Sequence, residues 1–345
     1  MTLRVGIARD ERFLEHKTGH FHPEHPKRLE AVYRMIDRHF KDRLIPIPPE
    51  PATLEQMERI HSQAYIKRIL KTADQRITSL APDTPISAES YLAAYLAAGA
   101  CVKGVDSLIS GVCDAFFALV RPPGHHAMPD RASGFCLFNN IAIAARYALD
   151  RYDLGRILVI DWDIHHGNGI HDIFYNAKEV LYFSTHDDML FPYSGTIEEI
   201  GGDNARGYTV NVPIPRELAD DDMIHLYREI LRPLIKGYQP RLIMVAAGFD
   251  AHTDDPIGRS GLTEATYRGI TRLLMELRTL ADDPPLFFAL EGGYNQRALA
   301  ESVQAVLTEL TDGPTPPPKI SPSQTALDLV AQVRSVHAPY GVFHD

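Results

Sequence analysis

Cysteine is scarce in this 345-residue chain: Cys101, Cys113 and Cys136 are the whole supply, an odd number with no CxxC pair. That argues against a disulfide framework and for reduced thiols, and hence for an intracellular, cytoplasmic protein. Positive charge is also short. Against 45 Asp and Glu stand 35 Lys and Arg, a formal net charge of -10, and nowhere do they form a basic stripe. Direct nucleic-acid binding is therefore not expected. The first ten residues, MTLRVGIARD, contain no signal h-region, and no apolar run reads as long enough to span a membrane, so no membrane partner is expected either. No internal repeat is visible.

What is present is ordinary globular material, 45% hydrophobic and 23% charged, with ample length for a large core. Short β-branched runs alternate with helical patterns. Strands are expected at Leu3–Ala8, Ala115–Val120, Ile157–Ile160, Val180–Phe183, Tyr208–Val212, Leu242–Ala247 and Leu286–Leu290. Helices are expected at Lys27–Phe40, from Thr53 through Ile69, at Glu89–Leu108, Ile141–Tyr147, Asp220–Gly237 and Thr263–Leu280, and from Asn295 through Leu310. Thr53 with Gln56 has the form of a capping box. Such alternation predicts an α/β fold with a doubly wound, mostly parallel sheet flanked by helices. One domain over residues 1–312 is expected, with a Pro-rich linker from Gly313 and a C-terminal arm packed on it over 313–345, including a last helix at Ser323–Val333.

The densest chemistry follows the run Ile157–Ile160. Asp161, Asp163, His165 and His166 appear within six residues, before Gly167 and Gly169. Four apolar residues read as a strand buried on both faces, and ligands in open α/β sheets bind past the carboxyl ends of strands. Alternate residues of an extended segment face one way, so Asp161, Asp163 and His165 can point together. Carboxylate and imidazole are donors that zinc or iron accepts. Other strand ends carry Arg121-Pro122-Pro123-Gly124-His125-His126-Ala127, Ser184-Thr185-His186, Gly248-Phe249-Asp250-Ala251-His252 and Glu291-Gly292-Gly293-Tyr294. His16, His20, His22 and His25 lie in a Pro-rich loop without rigid spacing, which favours a structural or rim role over a metal site.

In this order, these motifs closely resemble the zinc-dependent histone deacetylase superfamily, which includes bacterial deacetylase-like amidohydrolases and acetylpolyamine amidohydrolases. The wording of the His125-His126 and His165-His166 motifs looks like the class II branch. The likeness runs from His22 to Tyr294 and implies the arginase/deacetylase fold, with a zinc at the base of a narrow tunnel. It implies Asp163, His165 and Asp250 as the zinc ligands, with Fe2+ a substitute in the cell. By the same resemblance His126 is the general base, and His125, oriented by Asp161, assists it electrostatically. Tyr294 stabilises the oxyanion. Asn168 stands where class I relatives carry a second aspartate beside the base; an amide orients a ring but supplies no charge.

A structural potassium is implied at Asp161, Asp163, His165, Ser184 and Thr185. Phe135 and Phe191 look like tunnel walls, with Gly134 beside them, and Asp83 like the rim aspartate that binds the substrate's backbone amides. Ile257 replaces the gatekeeping acid of polyamine-selective relatives, and Arg28 is a candidate for the acetate exit. The expected activity is zinc-dependent hydrolysis of N-ε-acetyl-lysine or a short acyl-lysine, releasing acetate, with an acylated peptide, protein or small acetylated amine as partner. Acetylpolyamine hydrolysis is the nearest rival, a non-catalytic acyl-binding module a rival of another class. Sequence does not settle whether the chain forms a homo-oligomer.

Overall fold

The computed structural model describes residues 2–74, 77–313, 319–341 and 343. Its strands are β1 (Val5–Ala8), β2 (Ile45–Pro46), β3 (Ser79–Ala81), β4 (Thr84–Pro85), β5 (Ala115–Ala118), β6 (Ile157–Asp161), β7 (Val180–His186), β8 (Thr209–Pro213), β9 (Leu242–Ala247) and β10 (Leu286–Leu290). Its helices are α1 (Lys27–His39), α2 (Leu54–Glu58), α3 (Gln63–Leu70), α4 (Ser90–Ile109), α5 (Asn140–Tyr152), α6 (Asn168–Phe174), α7 (Asp220–Tyr238), α8 (Glu264–Leu277), α9 (Gln296–Asp312) and α10 (Gln324–His337). Eight strands form one sheet in the order β2-β1-β5-β10-β9-β6-β7-β8, and every pairing is parallel. β3 and β4 form a separate antiparallel hairpin.

The central strands are wholly buried and, apart from Asp161 at the end of β6, apolar, as a sheet covered by helices on both faces requires. β6 and β9 are neighbours, with Asp161 in register with Ala246. From β6 the chain winds on through β7 and β8 to one edge, whereas from β9 it goes to β10 on the other side. The carboxyl ends of β6 and β9 therefore flank a topological switch point, where a crevice is open to ligands.

Local chemistry explains most element boundaries. The Thr53/Gln56 capping box is present, but it opens only a five-residue helix. The single helix expected through Ile69 is in fact two, because Ser62 caps a fresh start by accepting from Tyr65 N–H. β7 runs three residues further than the apolar pattern suggested, so Ser184, Thr185 and His186 belong to the strand. These polar residues stay in register because each finds a buried partner: Ser184 Oγ and His186 Nδ1 are 2.8 Å apart, as are Thr185 Oγ1 and Tyr227 Oη. The seven-residue α6 and the short β3–β4 hairpin were not foreseen. α10 packs on α7, tied by Ser323 N–H to Asp222 Oδ1 (2.6 Å). Of the expected linker, residues 314–318 lie outside the described residues.

The reading that no apolar run could span a membrane needs correcting. α4 is long and apolar enough by length and composition, and 78% of that window is buried inside the fold, as in a core helix. Its small residues allow close approach: a Cβ on Gly99 would fall 1.8 Å from Glu50 O.

A buried ionic network braces the loop before α1. Glu24 is fully buried and accepts from Arg121 Nε (2.5 Å), Arg121 Nη2 (2.7 Å) and Arg28 Nη1 (2.8 Å). Burial alone would raise the Glu24 carboxyl's pKa, but Arg121 and then Arg28 outweigh it and hold the carboxyl at about 2. The folded value lies below the ordinary 4.5, so this stability is present above pH 4.5 and drains away as pH falls towards 2. Glu24→Gln leaves Arg121 buried against a neutral amide, and a loss of about 3 kcal/mol in urea unfolding at neutral pH is expected. The variant's stability should also change less than the wild type's between these pH values; equal acid sensitivity would refute the assignment.

Candidate active site

Three donors meet at the switch point. Asp163 and His165 come from the turn after β6, and Asp250 from the turn after β9. Their donor atoms lie within 4.8 Å of one another, and all three residues are buried. His165 Nδ1 is 3.0 Å from Asp163 Oδ1 and 3.0 Å from Asp250 Oδ2. Backbone groups fix the second oxygens: Gly292 N–H donates to Asp163 Oδ2 at 2.9 Å, and Ile164 N–H to Asp250 Oδ1 at 3.1 Å. Gly292 must be glycine, because a Cβ there would sit 2.2 Å from Asp250 Oδ2.

The electrostatics fit a cation between these groups. Burial works against a charged His165 ring, but Asp250 and Asp163 outweigh it and push its pKa well above the ordinary imidazole value. Burial and then the like charge of Asp163 raise Asp250 to about 7. Asp163, also buried, is instead held down by His125 and His165. Two acids and one imidazole carry a formal charge of about -2 when deprotonated, which suits a divalent ion, and three protein ligands leave positions open for reactants.

Beside this set stand the paired histidines after β5. His125 Nδ1 is 3.1 Å from Asp161 Oδ2, and Tyr182 Oη donates to the same oxygen at 3.1 Å. Burial opposes charge on His125, yet Asp163 and Asp161 prevail and raise it to about 10. His126 Nδ1 is 2.9 Å from Asn168 Oδ1. Burial, then the charges of His125 and His165, drive His126 well below an ordinary imidazole. Two adjacent histidines thus have opposite proton affinities, one held charged and its neighbour neutral.

Comparison with known proteins gives the family. The Histone deacetylase domain family matches residues 22–310. The chain belongs to the histone deacetylase family. It is 36% identical over 291 residues to the Histone deacetylase-like amidohydrolase of Pseudomonas aeruginosa, covering 84% of this chain and 76% of that one. It is 34% identical over 294 residues to a Probable deacetylase of Archaeoglobus fulgidus, covering 84% and 81%. The crystal structure of the HDA15 HD domain superposes with a TM-score of 0.92 at 33% identity, covering 98% of this chain and 97% of that one. The parallel sheet and this match together give the arginase/deacetylase fold, and family membership makes the chain a hydrolase of the deacetylase type.

In this histone deacetylase family member, aromatic rings connect the donors with the surface. The Phe191 ring stands edge-on to His126 at 5.1 Å, and Phe135 is perpendicular to Tyr294 at 5.8 Å. Gly134 has φ +53°, and a Cβ on it would lie 2.3 Å from the His126 ring and 2.9 Å from Phe191, so only glycine lets these walls close up. His22 stacks edge-on against Phe135 at 4.7 Å, and its Nε2 lies 3.2 Å from Asp83 O. Asp83 reaches the same wall through Thr84, whose Oγ1 donates to Asp83 Oδ1 (2.8 Å) and accepts from Phe135 N–H (3.2 Å). The other early histidines are dispersed: His16 is buried against Ser90, and His25 accepts from Lys27 N–H. Among the described residues they form no metal cluster.

Sequence reading gave no role to Asp255. Its Oδ2 accepts Tyr294 N–H (2.6 Å) and Asn295 N–H (3.3 Å), and its Oδ1 accepts Ile257 N–H (2.9 Å) and Gly258 N–H (3.2 Å). One carboxylate therefore ties the Tyr294 turn to the Ile257 turn. Arg28 supports Tyr294 from behind: its Nε donates to Gly293 O at 2.5 Å, and its guanidinium carbon lies 5.0 Å from the Tyr294 ring centroid. His166 also contacts two further buried histidines: its ring is edge-on to His171, with Nε2 2.9 Å from His171 Nδ1, and tilted against His186. His166 and His186 stood in motifs read from the sequence; His171 did not.

Proposed function

We propose that this chain hydrolyses the amide of an N-ε-acetylated or short-acylated lysine side chain in a peptide or protein, with a zinc ion held by Asp163, His165 and Asp250. The observation that carries the proposal is the meeting of these three side chains from two different strand ends, beside a neutral histidine and a tyrosine. A divalent ion bound there supplies a Lewis acid that polarises the scissile carbonyl and acidifies water; Fe2+ can serve as well as zinc.

The protein's own groups do the rest. Phe135 and Phe191 flank the lysine's methylene stem and exclude water from it, with Asp83 at the rim for the backbone amides. His126, neutral and aligned by Asn168, takes a proton from the attacking water and returns it to the leaving amine nitrogen. His125, held charged by Asp161, stabilises negative charge developing beside it. Tyr294 O–H donates to the oxygen that becomes an oxyanion. The apolar Ile257, anchored through its backbone to Asp255, favours a lysine stem over a second ammonium group. From the family resemblance we assign a structural potassium ion to Asp161, Asp163, His165, Ser184 and Thr185, at and just beyond the carboxyl ends of β6 and β7.

The test compares acetyl-lysine peptides, longer acyl-lysine peptides and acetylated polyamines on one preparation of measured metal content. Turnover of the peptides with about one zinc or iron per chain supports the proposal. Preference for polyamines, or none of these turned over, would overturn it.

The base assignment has its own consequence. Asn168→Asp places an anion against His126 and should raise that ring's pKa by about 1–3 units. The working form is the neutral ring, and activity disappears as pH falls through its pKa. The acidic limb of kcat/KM should therefore move to higher pH in the variant. A limb that stays put would remove His126 from the role of base.

A further inference from the structure

A second group of donors converges on the other side of His125. His125, Cys136 and Glu291 are all buried, and each offers a ligand atom within 4.8 Å of the other two, the same span as the Asp163, His165 and Asp250 set. Asp161 occupies His125 Nδ1, which leaves Nε2, an atom 3.9 Å from Asp163 Oδ2. The two groups therefore adjoin. Glu291 has no exposed surface, and its Oε2 accepts Gly124 N–H (2.7 Å) and His125 N–H (3.1 Å). Among the described residues its Oε1 has no hydrogen-bond partner. The Cys136 thiol donates to Gly134 O at 3.3 Å.

An orphaned carboxyl oxygen in a dry interior costs free energy. Burial pushes Glu291 up to about 7, and burial followed by the charge of Glu291 pushes the Cys136 thiol well up. Both shifts reverse when a cation supplies the missing partner.

We infer that His125 Nε2, Cys136 Sγ and a Glu291 carboxylate oxygen form a second divalent-metal site next to the one assigned to catalysis. Its donor set is softer than the first. Thiolate and imidazole with one carboxylate select Zn2+ or Co2+ and reject Mg2+, and the two anionic ligands balance a dication. Binding there requires His125 Nε2 to give up the proton that keeps the ring charged. Where the deacetylase reading of the first site holds, a second Zn2+ therefore inhibits.

The two sites differ in one measurable respect, because only the second contains sulfur. Metal-free, full-length protein is titrated with Co2+. The first equivalent should give only weak visible bands. The second should add the near-ultraviolet charge-transfer band of a thiolate–cobalt bond. Cys136→Ser should abolish that band. Glu291→Gln, which keeps the sulfur, should move it to roughly 10- to 100-fold higher Co2+. Asp250→Asn, which removes a ligand of the first site, should leave the band in place, so failure of the catalytic reading does not erase this one. Saturation at a single equivalent without a charge-transfer band would overturn the inference. So would a band that survives in Cys136→Ser, since it would then belong to Cys101 or Cys113.

Discussion

Asp250→Asn should leave a folded protein that no longer retains zinc or iron through dialysis and has lost about 10⁴-fold in kcat/KM, the equivalent of roughly 5 kcal/mol of transition-state stabilisation. The size of the effect follows from geometry. Asp250 Oδ2 is one of only three donors in the set, and its carboxylate is the only one contributed from beyond β9. Its other oxygen accepts Ile164 N–H, a bond that an amide oxygen can replace, so the turn after β6 keeps its shape. What the variant loses is charge. Asparagine is a poor ligand for a borderline-soft dication, and the net ligand charge drops by one. Metal content by mass spectrometry and turnover of an acetyl-lysine peptide, measured on the same sample, decide the matter. A variant that keeps its metal and more than about a tenth of its rate would show that the ion, or the chemistry, lies elsewhere.

The sequence exposed the parts of this site that sit on one strand end and hid the parts assembled across the fold. Asp161, Asp163 and His165 follow the apolar run of β6, and their alternation anticipates that Asp161 and Asp163 both reach His125. Asp250 and Tyr294 stood out for the same reason, each just past a buried strand, although only family resemblance joined them to Asp163. Asp255 was invisible, because an aspartate in an acidic turn is usually just solvated. Its importance arises from accepting N–H groups from residues up to 40 positions away. Glu291 was read as part of a motif but given no task, since its two backbone donors come from 166 and 167 residues earlier.

The same division holds for the fold. The buried strands β6, β9 and β10 fell within a residue of their expected bounds, because continuous apolar runs have few alternatives. The polar end of β7 and the break between α2 and α3 depend on hydrogen bonds to distant or non-periodic partners. Hydrophobic periodicity carries no trace of these. The expectation that no apolar run is long enough to span a membrane, corrected by α4, shows the converse: composition read without knowledge of its neighbours cannot say which apolar helix is a core helix.

Tyr294→Phe should reduce kcat about 100- to 1000-fold while changing KM, metal content and thermal stability little. The effect follows from how the phenol is held. Burial, then the negative charges of Asp250 and Asp163, raise its pKa well above 10. The raised value means that the hydroxyl keeps its proton throughout the working pH range and is always available to donate. Asp255 fixes the backbone of Tyr294, Arg28 lies behind the ring and Phe135 stands edge-on to it, so the donor is positioned before substrate arrives. Phenylalanine preserves all three of these contacts and removes only the O–H. Such a donor contributes most where charge develops on the carbonyl oxygen and little to the ground state, so the loss belongs in kcat. A loss confined to KM would make Tyr294 a wall of the tunnel and leave oxyanion stabilisation to the metal ion and His125.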